Sequence, residues 1–230
     1  MITKLDLPQQ LRHERKFTLS DFPRQEVVRL IKHHPAFFRP IFYPRQINNI
    51  YLDTPDFKFY KDNVKGISER KKVRIRWYGE TFGEAQRPRL EYKLKEGLLG
   101  DKWIFPLPNF DIKQGFSIAD LQALWQRANL PEAIRKDLEL LHPSLLNTYQ
   151  RTYFQSADKD FRLTLDENLS YYRVNNRANL FLTKRTDSEA LIVELKYAPE
   201  VDNVANKISK LFPYRLDKSS KYVNGIEAFR

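Results

Sequence analysis

Ionisable residues recur at every second position in several separate runs of this chain, and that alternation restricts its folding more than any other feature. The runs are Glu14 and Lys16; Lys72, Arg74 and Arg76; Glu91, Lys93 and Lys95; Glu194 and Lys196; with Arg162 opening a fifth. Side chains alternate across a strand, so positions i and i+2 share a face. The opposite faces are apolar: Val73, Ile75 and Trp77, then Leu90, Tyr92 and Leu94, then Val193, Leu195 and Tyr197. One basic strand face is ordinarily a solvated face. Five strands with basic rows broken only by one or two Glu imply a common charged interior. Such an interior suits a ligand that carries many negative charges.

The 230 residues can bury a sizeable core, and the formal charge of +11 points to an anionic partner: nucleic acid, an acidic membrane surface or a phosphate-rich small molecule. The basic faces lack interleaved stacking aromatics, which argues against specific nucleic-acid binding. With no cysteine there is no disulfide framework, thiolate nucleophile or cysteine metal site. The opening MITKLDLPQQLRHERKF has no apolar stretch of the kind a signal peptide needs. No run approaches the roughly 20 apolar residues of a membrane span, so a soluble, cytoplasmic protein is expected. Neither G-x-x-x-x-G-K-[ST] nor G-x-G-x-x-G occurs, and Gly97-Leu-Leu-Gly100 is only a turn signal. Phosphate, if bound, would be held by side chains.

Strands are expected at Leu11–Leu19, Ile41–Tyr43, Gln46–Leu52, 71–79, 87–96, Trp103–Leu107, Leu145–Phe154, Phe161–Leu165, Leu180–Thr183 and Ala190–Tyr197. The pair 71–79 and 87–96 reads as an antiparallel hairpin. Ser20 or Asp21 is the expected cap of a first helix with Pro23 in its first turn. Leu121, Leu124, Trp125 and Ala128 recur at helical spacing, and Pro131 starts a second helix, so about 117–142 reads as a helical insertion. Helices are also expected over Val201–Phe212 and Lys218–Phe229. With no internal repeat or linker, residues 1–230 read as a single α+β domain. Its expected architecture is an eight-stranded antiparallel β-barrel tunnel, with helices packed outside and a C-terminal helix.

Seven elements in order carry a family likeness: Glu14-Arg-Lys16-Phe, Tyr51-Leu-Asp-Thr-Pro55, Arg74-Ile-Arg76, Leu90-Glu-Tyr-Lys-Leu-Lys95, Tyr149-Gln-Arg151 with Arg162-Leu-Thr-Leu-Asp166, Val193-Glu-Leu-Lys196 and Lys218-Ser-Ser-Lys221-Tyr. The chain resembles the VTC (vacuolar transporter chaperone) polyphosphate polymerase domain of the CYTH-like triphosphate tunnel metalloenzyme superfamily. Related tunnel hydrolases often open with E-x-E-x-K, whereas Arg12 stands at the first Glu position here. That exchange is closer to the polymerase-like branch.

The resemblance implies phosphate binding by Lys16, Arg74, Arg76, Lys93, Arg151, Arg162, Lys218 and Lys221, with hydrogen bonds from Tyr149 and Ser220. It implies Glu194 as the main ligand of a divalent metal, Mn²⁺ or Mg²⁺. Glu14 and Glu91 share faces with Lys16 and Lys93 and are secondary metal candidates. Lys95 and Lys196 hold inward registers nearer a tunnel mouth. The activity implied is transfer of the ATP γ-phosphate to a growing polyphosphate chain, with a terminal phosphate oxygen as nucleophile and no required general base. The alternatives are a tunnel phosphohydrolase acting on tripolyphosphate or nucleoside triphosphate, and a non-catalytic polyphosphate sensor. Coupling to translocation would need a separate membrane partner.

Overall fold

The apolar halves of the alternating runs bury against helices, and this fixes the architecture. A computed structural model describes residues 13–20, 22–96 and 99–230; Arg12, Asp21 and Gly97 lie outside these. Eleven strands are described: β1 (His13–Leu19), β2 (Arg39–Asp53), β3 (Arg70–Tyr78), β4 (Gly83–Ala85), β5 (Arg89–Glu96), β6 (Leu99–Pro106), β7 (Phe110–Ile112), β8 (His142–Gln155), β9 (Arg162–Arg173), β10 (Lys184–Asp187) and β11 (Leu191–Tyr197). Six α-helices accompany them: α1 (Arg24–Lys32), α2 (Lys58–Val64), α3 (Ile118–Arg127), α4 (Glu132–Glu139), α5 (Asp202–Lys210) and α6 (Lys221–Glu227).

Eight strands pair in the antiparallel order β1-β11-β9-β8-β2-β3-β5-β6, and the sheet curls into a half-barrel. Among the described residues β1 and β6 do not pair, but a Lys93–Glu14 ion pair of 2.9 Å links β5 to β1 across the opening. On one outer flank Val27, Ile31, Ala205 and Ile208 of α1 and α5 cover Phe17, Leu163, Val193 and Leu195. On the other, Leu121, Leu124, Ile134 and Leu138 of α3 and α4 cover Val73, Ile75, Trp77, Leu90 and Tyr92. These are the two apolar stripes that the spacing predicts.

α6 instead packs on the inner face. Tyr222 stacks on Tyr51 at 4.8 Å, and Ile226 joins Leu145 and Tyr171. The fully buried Asp53 ties this corner together. It accepts the backbone N–H groups of Thr54, Phe59 and Tyr60 and, at 2.6 Å, the Tyr222 hydroxyl. A buried carboxylate needs such donors, and Asp53 therefore works as a fastener for α2 and α6.

Several boundaries differ from the sequence expectation. The runs Ile41–Tyr43 and Gln46–Leu52 are one strand, β2, because register irregularities on either side of Phe42 absorb Pro44. The run expected over Phe161–Leu165 continues to Arg173; Asn168, at φ 55°, accompanies a bulge that shifts the inward parity. Leu180–Thr183 is not a strand: Leu180 and Leu182 are exposed, Phe181 sits at φ 54°, and pairing begins at Lys184. Pro23 is the N-cap of α1, so Ser20 does not cap it. The terminal helix starts at Lys221, with Ser220 as its N-cap. No helix among the described residues is long and apolar enough to cross a membrane.

Candidate functional site

The registers place the ionisable rows on one concave surface. Lys16 lies opposite Glu194, Arg151 opposite Asp166, Arg74 opposite Glu91, and Lys72 opposite Lys93. Their side chains surround a cavity of about 600 Å³. Nine cations line it: Lys16, Lys72, Arg74, Arg76, Lys93, Lys102, Arg151, Lys196 and Lys221. Three carboxylates join them there, Glu14, Asp101 and Glu194. Glu91 and Asp166 stand immediately behind, bonded to lining cations.

The buried carboxylates each collect several cations. Glu194 meets Lys196 at 3.0 Å, Lys16 at 3.3 Å, Arg151 at 3.6 Å and Lys221 at 4.0 Å. Asp166 takes Arg151 Nε and Nη2 at 2.5 and 2.6 Å and Lys221 at 2.5 Å. Glu91 takes Arg74 at 2.6 Å and Lys102 at 2.7 Å, with Arg76 at 3.7 Å. Glu14 bridges Lys16, at 3.0 Å, and Lys93. Burial pushes all four carboxyl groups up, yet the neighbouring cations outweigh it and hold them below the usual range, Glu14 down to about 2.

Among the lining lysines, Lys72 and Lys102 also shift downward. Burial lowers Lys72, and Lys16, Lys93, Arg74 and Arg70 lower it further, to about 7. Its amine is held 2.9 Å from Ser220 Oγ. Lys102 falls to about 8, mainly through burial, with Glu91 opposing. Arg76 donates to Asn49 Oδ1 at 2.9 Å and to the Tyr149 hydroxyl at 3.2 Å. The Tyr149 ring also carries Lys221 at 4.8 Å and Arg151 at 5.3 Å from its centre, so this tyrosine is a platform for cations as well as a hydroxyl.

Of the residues predicted from sequence, Glu14, Lys16, Arg74, Arg76, Lys93, Tyr149, Arg151, Glu194, Lys196, Ser220 and Lys221 converge on the cavity, with Glu91 behind Arg74. Arg162 and Lys218 are exposed and outside the lining, and Lys95 is half-buried beyond Lys93. Three contributors were not singled out. Lys72 belongs to the alternating row and was legible there. Asp166 sits two residues beyond the inward Thr164, and Lys102 directly opposite Lys93. Among the described residues no three His, Asp or Glu form a metal cluster. Glu14 and Glu194 nevertheless flank a single ammonium, Lys16, and repel each other, so a divalent cation completed by phosphate oxygens fits between them. Glu91 is enclosed by Arg74, Arg76 and Lys102, none of which pairs with a second carboxylate among the described residues.

A curled antiparallel sheet with cations concentrated on its concave face defines a basic half-barrel suited to a polyanionic ligand. The VTC domain profile matches residues 11–230, and the chain belongs to that family. Solved structures are similar to it over most of their length, and the first below shares its fold. A Pyrococcus horikoshii protein aligns over 94% of this chain and 99% of its own, at 13% identity and a TM-score of 0.52. A candidate adenylate cyclase from Vibrio parahaemolyticus aligns over 89% and 86%, at 11% identity and TM-score 0.46. A candidate adenylyl cyclase from Hippeastrum, described as having a dominant triphosphatase activity, aligns over 96% and 97%, at 13% identity and TM-score 0.47. No curated protein matches the chain.

Proposed function

We propose that the cavity binds the triphosphate of ATP and transfers its terminal phosphoryl group to a polyphosphate chain. The charge balance supports the substrate class. Nine lining cations against five carboxylates leave a surplus of about four positive charges, matching the roughly four negative charges of a triphosphate. Arg74, Arg76 and Arg151 present planar forks to phosphate oxygens, and Lys16, Lys93 and Lys221 present point charges. Fixed cations of this kind offset charge that develops in the transition state.

The observation that carries transfer over hydrolysis is the state of the carboxylates. Glu14, Glu91, Asp166 and Glu194 each ion-pair with two or more cations, so none presents a free carboxylate to take a proton from water. A phosphate oxygen is already charged and needs no base. Glu14 and Glu194 would hold Mn²⁺ or Mg²⁺, which supplies charge neutralisation at the phosphates when bound. Hydrolysis is the second reading, and one observation favours it: Lys72, lowered to about 7, is an amine able to take a proton from water.

Incubation with ATP, Mn²⁺ or Mg²⁺ and a short polyphosphate primer separates these readings. A polyphosphate ladder that disappears in Arg74→Ala supports transfer. Free phosphate without a ladder supports hydrolysis. Neither product, with tight tripolyphosphate binding, leaves a sensor.

A further inference from the structure

Just outside the cavity the concave rows change chemistry, and against the sequence expectation they carry aromatics on the basic faces. Two residues beyond Arg76 on β3 comes Tyr78, and two beyond Arg151 on β8 comes Tyr153. Arg45 lies directly opposite Arg151 on the neighbouring strand β2. Each step of two residues advances about 7 Å along a strand, so these side chains form the next tier toward solvent. The Arg45 guanidinium lies 4.5 Å from the ring centre of Phe42, 5.8 Å from Tyr153 and 5.9 Å from Tyr78. Phe42 and Tyr153 meet edge to face at 5.7 Å. Phe42 is 46% exposed and Tyr78 37% exposed.

Packing does not account for this tier. Apolar rings and a guanidinium with no ion pair among the described residues, set at a cavity rim, leave flat π surfaces open to water. Flat rings beside a guanidinium plane are the chemistry that stacks a nucleobase. We infer that Phe42, Arg45, Tyr78 and Tyr153 form a nucleobase subsite, making this mouth the one through which a nucleoside triphosphate enters. The inference rests on the triphosphate reading of the cavity. With the phosphate nearest the ribose against Arg76 and Arg151, the terminal phosphoryl group reaches toward Lys72 and Lys93, and the base emerges at this tier. A purine, with the larger ring, gains most. The subsite thus selects a nucleotide donor over an inorganic phosphate chain, which makes no use of the rings.

The test compares ATP with inorganic tripolyphosphate as titrants of the full chain, for the wild type, Phe42→Ala and the charge-conserving Arg45→Lys. Both positions are exposed, so melting temperatures should match the wild type and confirm folding. The expected result is a loss of about ten-fold in ATP affinity with tripolyphosphate affinity unchanged. Equal losses for both ligands, or none for either, overturn the subsite while leaving the cavity reading intact. Failure of the wild type to bind tripolyphosphate overturns the cavity reading, and the subsite with it.

Discussion

The Lys221 ammonium, at the start of α6, sits 2.5 Å from Asp166 Oδ2, and the same carboxylate holds Arg151 from the neighbouring strand. Asp166 is fully buried and its partners' side chains are nearly so, 8% exposed for Arg151 and 9% for Lys221, which makes this carboxylate the counter-ion that lets two cations stand side by side. Asp166→Asn keeps the shape and removes the charge. Breaking a buried pair from one side costs about 3–5 kcal/mol. A lower melting temperature is expected without ligand, with part of the loss recovered in millimolar tripolyphosphate, whose oxygens replace the carboxylate. An unchanged melting temperature would show that the two cations do not depend on Asp166.

Glu91 and Glu194 should respond oppositely to neutralisation. Glu91→Gln frees Arg74, Arg76 and Lys102 from a competing carboxylate. Metal-free affinity for tripolyphosphate should rise by about ten-fold, a modest value for a close charge pair. Glu194→Gln also frees cations, but it removes a carboxylate of the Glu14–Glu194 pair. The added affinity that Mg²⁺ or Mn²⁺ confers should therefore shrink in Glu194→Gln and persist in Glu91→Gln. Titrations with and without metal read both effects, and equal metal enhancement in the two variants would rule out the Glu194 assignment.

Lys72 makes stability and binding depend on pH with a defined sign. Its folded value, about 7, lies below that of an exposed lysine, about 10.4, so the unfolded chain binds more protons between those limits. Stability of the empty protein contributed by this group should therefore rise as pH increases from about 7 toward 10. Lys102, at about 8, acts in the same direction. A bound triphosphate reverses the crowding by Lys16, Lys93, Arg74 and Arg70, and Lys72 should take up a proton. Calorimetry at pH 8.5 in two buffers of different ionisation heat counts that proton. Uptake should diminish in Lys72→Met, and undiminished uptake in that variant would assign the proton elsewhere.

Alternation in the sequence reports which face a residue occupies, and here it was nearly always right: Lys72, Arg74 and Arg76 face inward while Val73, Ile75 and Trp77 are buried outside. It does not report height along the barrel axis. Arg162 holds an inward register yet sits at the rim, opposite Lys196, and Lys218 precedes α6 without reaching the cavity. Alternation also fails wherever a bulge intervenes. Asn168, in the left-handed region, shifts the phase of β9, which hid Leu169 and Tyr171 from the strand pattern. The Leu180 and Leu182 pair mimics a half-buried strand although both side chains face water. The inward seat of α6 was hidden too, because a seven-residue helix carries too few turns for its apolar stripe to reveal its partner.

That seat depends on Gly225. A Cβ at this position would lie 2.4 Å from Leu145 Cδ2 and 2.6 Å from Tyr171 Cδ1, both on the sheet beneath the helix. Alanine is intrinsically favoured over glycine in a helix by about 1 kcal/mol. Forcing a methyl group into a filled interface costs about 1–3 kcal/mol, and contacts this short place the change toward the upper end. Gly225→Ala should therefore lower the melting temperature. It should also weaken tripolyphosphate binding, because Leu145 and Tyr171 are themselves buried and α6 gives way by lifting, carrying Ser220 and Lys221 from Lys72 and Asp166. Thermal unfolding with and without tripolyphosphate measures both consequences. A lower melting temperature with the ligand-induced rise fully preserved would mean that α6 supports the sheet without positioning the cations of the cavity.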